Sequence, residues 1–231
     1  MKQSLIIGAL VAFSAAAPAS AITAFATFTP QGSNSNVFAS GSALTSMAEQ
    51  VTFRFLDPNG VLAPTDFSAL LNFSASIANG AVSGGLGIIP VNSGTVSFTT
   101  SAPVSFGGHT GTNLLTAVFG IGGAFTGPVN GSTATYGNSR PPNVVTFTSD
   151  LLNFSASTAR DLGFTINAIN PSLTAANVTA NTGFAGTISG NFGSDNVSGF
   201  PFPVSEPASL AVMALGLGFV VARARRSGAA R

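Results

Sequence analysis

Cysteine and tryptophan are missing from this 231-residue chain, histidine and tyrosine occur once each, and only 6% of residues are charged. Without cysteine there is no disulfide framework and no thiol or metal–thiolate chemistry, so the fold must be held by its core. One histidine, His109 in Gly107-Gly-His-Thr-Gly111, falls short of the several His or Cys ligands of a zinc site. A histidine base beside a hydroxyl nucleophile needs a third group to orient it, and no Gly-x-Ser-x-Gly elbow is present. His109 therefore reads as a solvated loop residue. Gly120-Ile-Gly-Gly-Ala-Phe-Thr-Gly127 resembles a phosphate loop in glycine content alone, since it lacks the Gly-Lys-Ser/Thr that holds phosphates. It reads as a turn or as tight strand packing.

The few charges are unevenly placed. Lys2 stands at the amino end, and Arg223, Arg225, Arg226 and Arg231 at the other. The middle keeps Arg54, Arg140 and Arg160 against Glu49, Asp57, Asp66, Asp150, Asp161 and Asp195, a net charge of about −3. No basic patch is available for phosphates, which excludes nucleic acid as a partner. Asp57, Asp66, Asp150, Asp161 and Asp195 form the pool from which a secreted glycan-active hydrolase would draw a pair of carboxylates. Their neighbours (Pro, Gly, Asn or Arg) instead suggest turns and ion pairs. Asp57-Pro-Asn-Gly60 reads as a turn, because no bidentate Glu follows at EF-hand distance. Irregular calcium sites in extracellular β-domains need fewer cues, so a structural calcium ion stays an alternative to no cofactor. No catalytic, cofactor-binding or metal-binding residue is assigned, and the expectation is a non-enzymatic protein.

What the chain has in quantity is phenylalanine, 20 residues, and glycine, 27, with polar positions filled mainly by Ser, Thr and Asn. Between the two ends apolar residues alternate with period two. Val51, Phe53 and Phe55 share one face with Thr52 and Arg54 opposite; Val96 with Phe98, Val145 with Phe147, Leu162 to Ile169, and Ile188 with Phe192 repeat the pattern. Turn signals lie between them at Asn79-Gly80, Asn92-Ser-Gly94, Gly107-Gly108, Asn130-Gly131 and Pro141-Pro142. Many short strands with short connections predict an all-β, antiparallel β-sandwich ectodomain over residues 22–192. The heptapeptide Leu70-Leu-Asn-Phe-Ser-Ala-Ser76 recurs letter for letter as Leu151 to Ser157. Its apolar positions suit core strands, so the echo predicts two equivalent strands in a pseudo-symmetric sandwich.

The termini carry the most specific information. Residues 1–21 read as a cleavable signal helix: Lys2 supplies the positive start, Leu5 to Ala17 an apolar stretch too short to span a bilayer, and Ala19-Ser-Ala21 the small residues of a signal-peptidase site. Residues 193–204, with Pro201 and Pro203, read as an extended linker. Residues 208–222 then form an uncharged run of roughly 15 residues, roughly 22 Å as a helix against roughly 30 Å of hydrocarbon, a short single transmembrane helix. Pro207 suits its first turn, Ser205 or Glu206 its amino-terminal cap, and Arg223, Arg225 and Arg226 a cytoplasmic basic stop.

Residues 205–231 resemble the PEP-CTERM sorting domain of Gram-negative bacteria. The resemblance rests on Glu206-Pro-Ala-Ser-Leu-Ala211, on Leu215-Gly-Leu-Gly218 and on the terminal arginines; Ser205 stands where the family has its first proline. It implies recognition by an exosortase, a membrane-embedded processing enzyme, with Ser205, Glu206 and Pro207 as the sorting motif. It further implies transient residence in the inner membrane, delivery to the cell surface or medium, and association with exopolysaccharide.

Overall fold

The computed structural model describes residues 22–32, 35–57, 63–137 and 145–200. The domain is all-β and antiparallel, with strands β1 (Thr23–Pro30), β2 (Val37–Ser40), β3 (Ala43–Phe55), β4 (Thr65–Ile77), β5 (Ala81–Ser83) and β6 (Leu86–Phe106). They are followed by β7 (His109–Phe119), β8 (Gly123–Pro128), β9 (Ala134–Gly137), β10 (Val145–Thr148), β11 (Arg160–Asn170), helix α1 (Ala175–Ala180) and β12 (Phe184–Ser194). The predicted alternation is what builds them. In β3, Val51, Phe53 and Phe55 are buried while Arg54 is exposed, and in β4, Leu71, Phe73, Ala75 and Ile77 are buried between exposed Asn72, Ser74 and Ser76.

The two separate sheets of a sandwich are not what the pairing forms. All twelve strands belong to one sheet. β1 and β2 lie end to end between β3 and β12; β4 and β5 share one edge of β6, and β7 and β8 the other. β9 faces β8 and β11, β10 faces β7, and β11 pairs with β12. Counting end-to-end strands once, the chain runs up and down through eight positions, and the last, β12, returns to pair with β1. That is a closed up-and-down barrel. Period-two alternation is common to open and closed sheets, which is why it cannot tell them apart. Around eight strands enclose a space that side chains can just fill, and here phenylalanine fills it. Phe192 is fully buried, with Phe98 at 5.6 Å, Phe147 at 6.0 Å and Phe164 at 6.1 Å between ring centroids.

Glycine makes room for these rings. Gly94, expected in a turn with Asn92, instead lies inside β6 directly opposite Phe119, and a Cβ there would come within 2.2 Å of that ring. The aromatic ring covers the strand position that the glycine leaves bare. Gly107 and Gly108 do form a turn, at φ 59° and 83°, the left-handed pair that a tight β6–β7 hairpin needs.

The heptapeptide echo is not structural. Leu70 to Ser76 is strand, whereas Leu151 to Ser157 is irregular chain, although its Leu151, Leu152 and Phe154 are buried in the same core. In the second copy the Ser149 hydroxyl accepts from the amides of Leu151 and Leu152, and the Asn153 side-chain oxygen accepts from the amide of Ser155. These local bonds offer the backbone an alternative to a ladder. The linker boundary also moves. Gly193 and Ser194 complete β12, Asn153 and Ser198 bridge, and Phe200 is buried against Phe55 and Phe106, so the packed domain continues to Phe200. Helix α1, absent from the sequence expectation, starts at Thr174, whose hydroxyl accepts from the amide of Asn177. No helix among the described residues is long and apolar enough to cross a membrane; residues 208–222 lie outside them.

Candidate functional site

Two surfaces of the barrel carry chemistry. The first is its outer face. Cross-strand pairing lines up Asn72, Ser97, Thr116 and Thr148 in one row over β4, β6, β7 and β10, and Ser74, Thr95, Val118 and Thr146 in the next. Neighbouring strands lie about 4.8 Å apart and alternate residues of one strand about 6.8 Å, so the rows form a regular grid of hydroxyl and amide groups interrupted by the exposed Val118. The grid follows from alternation: because Phe73, Val96, Phe98 and Ala117 point inward, their polar neighbours must point out.

The second is a cavity of about 500 Å³ between β10 and β11, bordered by His109, Thr148, Ser149, Asp150, Asn153 and Arg160 among others. β10 pairs with β7 but forms no ladder with β11 among the described residues, so the backbone hydrogen bonding around the barrel is interrupted there. Arg160 spans the gap. Its guanidinium donates to the carbonyls of Val145 at 3.3 Å, Phe154 at 3.0 Å and Ser157 at 3.4 Å. The only ion pair among the described residues is elsewhere, between Arg54 and Asp66, and the buried Nε of Arg160 has no partner. Asp150 is held by one oxygen, Oδ2, which accepts from the amides of Thr112 and Asn113 at 3.0 and 2.8 Å; Oδ1 takes no hydrogen bond. The approach depends on Gly111, where a Cβ would come within 2.2 Å of Asp150.

The sequence-predicted residues fall as follows. His109 is exposed at the start of β7 and borders the cavity. Ser149 is no nucleophile for it, because the hydroxyl donates to the Leu114 carbonyl at 2.6 Å and accepts from two amides. Of the aspartates, Asp150 alone reaches the cavity. Asp66 pairs with Arg54 on the open surface, and that hydrogen bond holds its carboxyl below the usual range. Asp161 is half-buried, which pushes its pKa up. Asp195 ties the 157–159 segment to β12: its carboxylate accepts from the Thr158 hydroxyl and amide and from the Ser157 hydroxyl, the Thr158 hydroxyl bond doing most to lower its pKa. No group of three or more metal-binding side chains occurs among the described residues. Ala19, Ala21, Ser205, Glu206, Pro207, Arg223, Arg225 and Arg226 lie outside them.

Asp195 gives a pH test. Its folded pKa lies below the ordinary value of 3.8, so it contributes stability that is present above about pH 4 and lost as pH falls through the folded value. Asp161, shifted upward, acts in the opposite sense: its contribution is present at low pH and lost as pH rises through its folded pKa. Asp195→Asn should flatten the acid limb of a melting-temperature profile below pH 4, and Asp161→Asn should steepen it. An unchanged acid limb in Asp195→Asn would remove Asp195 from the account of acid stability.

Sequence reasoning missed the cavity because His109 is distant in the chain from Asp150 and Arg160, and only the fold brings the three to one cavity. No family model matches the chain, and no curated protein or solved structure matches it.

Proposed function

We propose that the protein is an exported, non-enzymatic component of the cell surface or extracellular matrix. In this reading signal peptidase cuts after Ala21, and the 208–222 helix holds the precursor in the inner membrane. An exosortase-like enzyme acting at Ser205-Glu-Pro207 then releases the barrel or attaches it outside. The outer grid of Ser, Thr and Asn makes weak, repeated hydrogen bonds to polysaccharide, and neither cofactor nor catalytic group takes part. The observation that carries the reading is the tail itself: acidic-Pro motif, short apolar run and arginine stop in that order. A barrel with rows of Ser, Thr and Asn on its outer face, an apolar core and no disulfide to form is consistent with it.

Intact-mass analysis of the surface-located protein tests both ends at once. The expected species begins at Ile22 and lacks residues 208–231. Glu206→Ala and Pro207→Ala should leave full tails in the inner-membrane fraction, while Ser205→Pro should process at least as well as the wild type. A wild-type surface form that retains Arg231, with localisation indifferent to Glu206 and Pro207, would make the tail a plain anchor and end the sorting reading.

A further inference from the structure

We propose that the cavity at the β10–β11 seam binds a carboxylate flanked by hydroxyl groups, the chemistry of a sugar acid. The argument starts from charges left without counterparts. Arg160 is half-buried and has three carbonyl acceptors but no carboxylate within ion-pair distance. Carbonyl dipoles satisfy hydrogen bonds without neutralising a cation, and a partly buried, unneutralised guanidinium is costly unless an anion joins it. The three carbonyls take both Nη2 hydrogens and one on Nη1, which leaves one Nη1 hydrogen to hold an anion's oxygen by a charge-assisted hydrogen bond.

The rest of the lining suits the remainder of such a ligand. Asp150 keeps Oδ1 free as an acceptor, and its anchored Oδ2 fixes where that acceptor sits. Asn153 is exposed at the rim, with a side-chain amide nitrogen that makes no hydrogen bond. Asp150 would repel a bare anion but would accept a hydroxyl proton, so the pair discriminates in favour of a molecule carrying both groups. Thr148, at the end of the Asn72–Ser97–Thr116–Thr148 row, also borders the cavity. A chain of sugars lying along that row would therefore place one residue at Arg160. The proposal rests on the polysaccharide reading for the source of its ligand, although the pocket chemistry stands without the sorting tail.

The same chemistry could arrive as a free sugar acid or as one residue of an acidic polysaccharide. Saturation-transfer NMR on the purified full-length chain in mild detergent, with sodium glucuronate, glucose and acetate as probes, tests the pocket. Glucuronate should bind saturably and weaken as salt is raised; glucose and acetate should each bind about tenfold more weakly or worse. Arg160→Gln should lose glucuronate binding by a similar factor while keeping a cooperative melt. If that variant fails to fold, the glucuronate–glucose comparison on the wild type decides alone. Equal binding of glucose and glucuronate, or no saturable glucuronate signal, overturns the proposal. A glucuronate tetramer that binds more tightly than the monomer supports a polymer as the source, and equal affinity supports the free acid. None of these readouts depends on where the protein is sorted, so failure here and failure of the surface reading remain distinct.

Discussion

Phe192→Ala is expected to cost about 3–5 kcal/mol of folding free energy, the range for truncating a fully buried aromatic side chain. Phe192 is 0% exposed and its ring meets those of Phe25, Phe28, Phe53, Phe98, Phe147 and Phe164. These belong to β1, β3, β6, β10 and β11, so one side chain joins strands from around the whole circuit. The loss combines apolar burial, the cavity left behind and several edge-to-face contacts. Against a typical total of about 5–15 kcal/mol it would leave the domain marginal or unfolded. Urea denaturation gives the measurement, with Phe38→Ala as control because Phe38 is 47% exposed. A Phe192→Ala cost within about 0.5 kcal/mol of that control would mean that the barrel centre is not packed as described.

Gly94→Ala should destabilise by about 1–3 kcal/mol although it adds a single methyl group. Ordinary propensity predicts the opposite, because alanine restricts the unfolded chain more than glycine does. The reason is the Phe119 ring, which lies over Gly94 with atoms 2.2 and 2.4 Å from the position a Cβ would take. Phe119 must then leave its rotamer, disturbing its contacts with Phe73, Tyr136 and Phe164. The pairing is testable by a double-mutant cycle with Phe119→Leu. The two substitutions together should cost clearly less than the sum of the separate costs. Strict additivity would show that the ring and the glycine do not share the space.

Strand positions were legible wherever alternation was strong, as in Val51 to Phe55 and Leu162 to Ile169, because inward Phe and Ile and outward Thr and Asn mark the two faces of a pleat. Closure was not legible, since a strand's own residues do not record whether its sheet meets itself. The heptapeptide shows the limit at finer scale. Identical letters become strand at Leu70 and irregular chain at Leu151, because Ser149 precedes the second copy and captures its first amides. Asn92-Ser-Gly94 carries turn residues and yet lies in a strand, the glycine serving Phe119 instead of a bend. The cavity was the least legible feature. Asp150 could be singled out as a carboxylate and Arg160 follows ten residues later, but nothing in the letters between them shows that both face one cavity with His109.

The pairing of β1 with β12 has a consequence for timing. Thr23 sits opposite Ser194, so the first strand made is completed by the last. Synthesis proceeds from the amino end, and loop closure over such a separation is slow to nucleate. Throughout that interval β1 offers one edge to β3 and leaves the other bare, an invitation to strands of other chains. A nascent chain stopped short of Phe184 would have both rims of the sheet exposed and no means of sealing them. Completion is thus a single late event, and before it the domain depends on whatever keeps neighbouring chains apart.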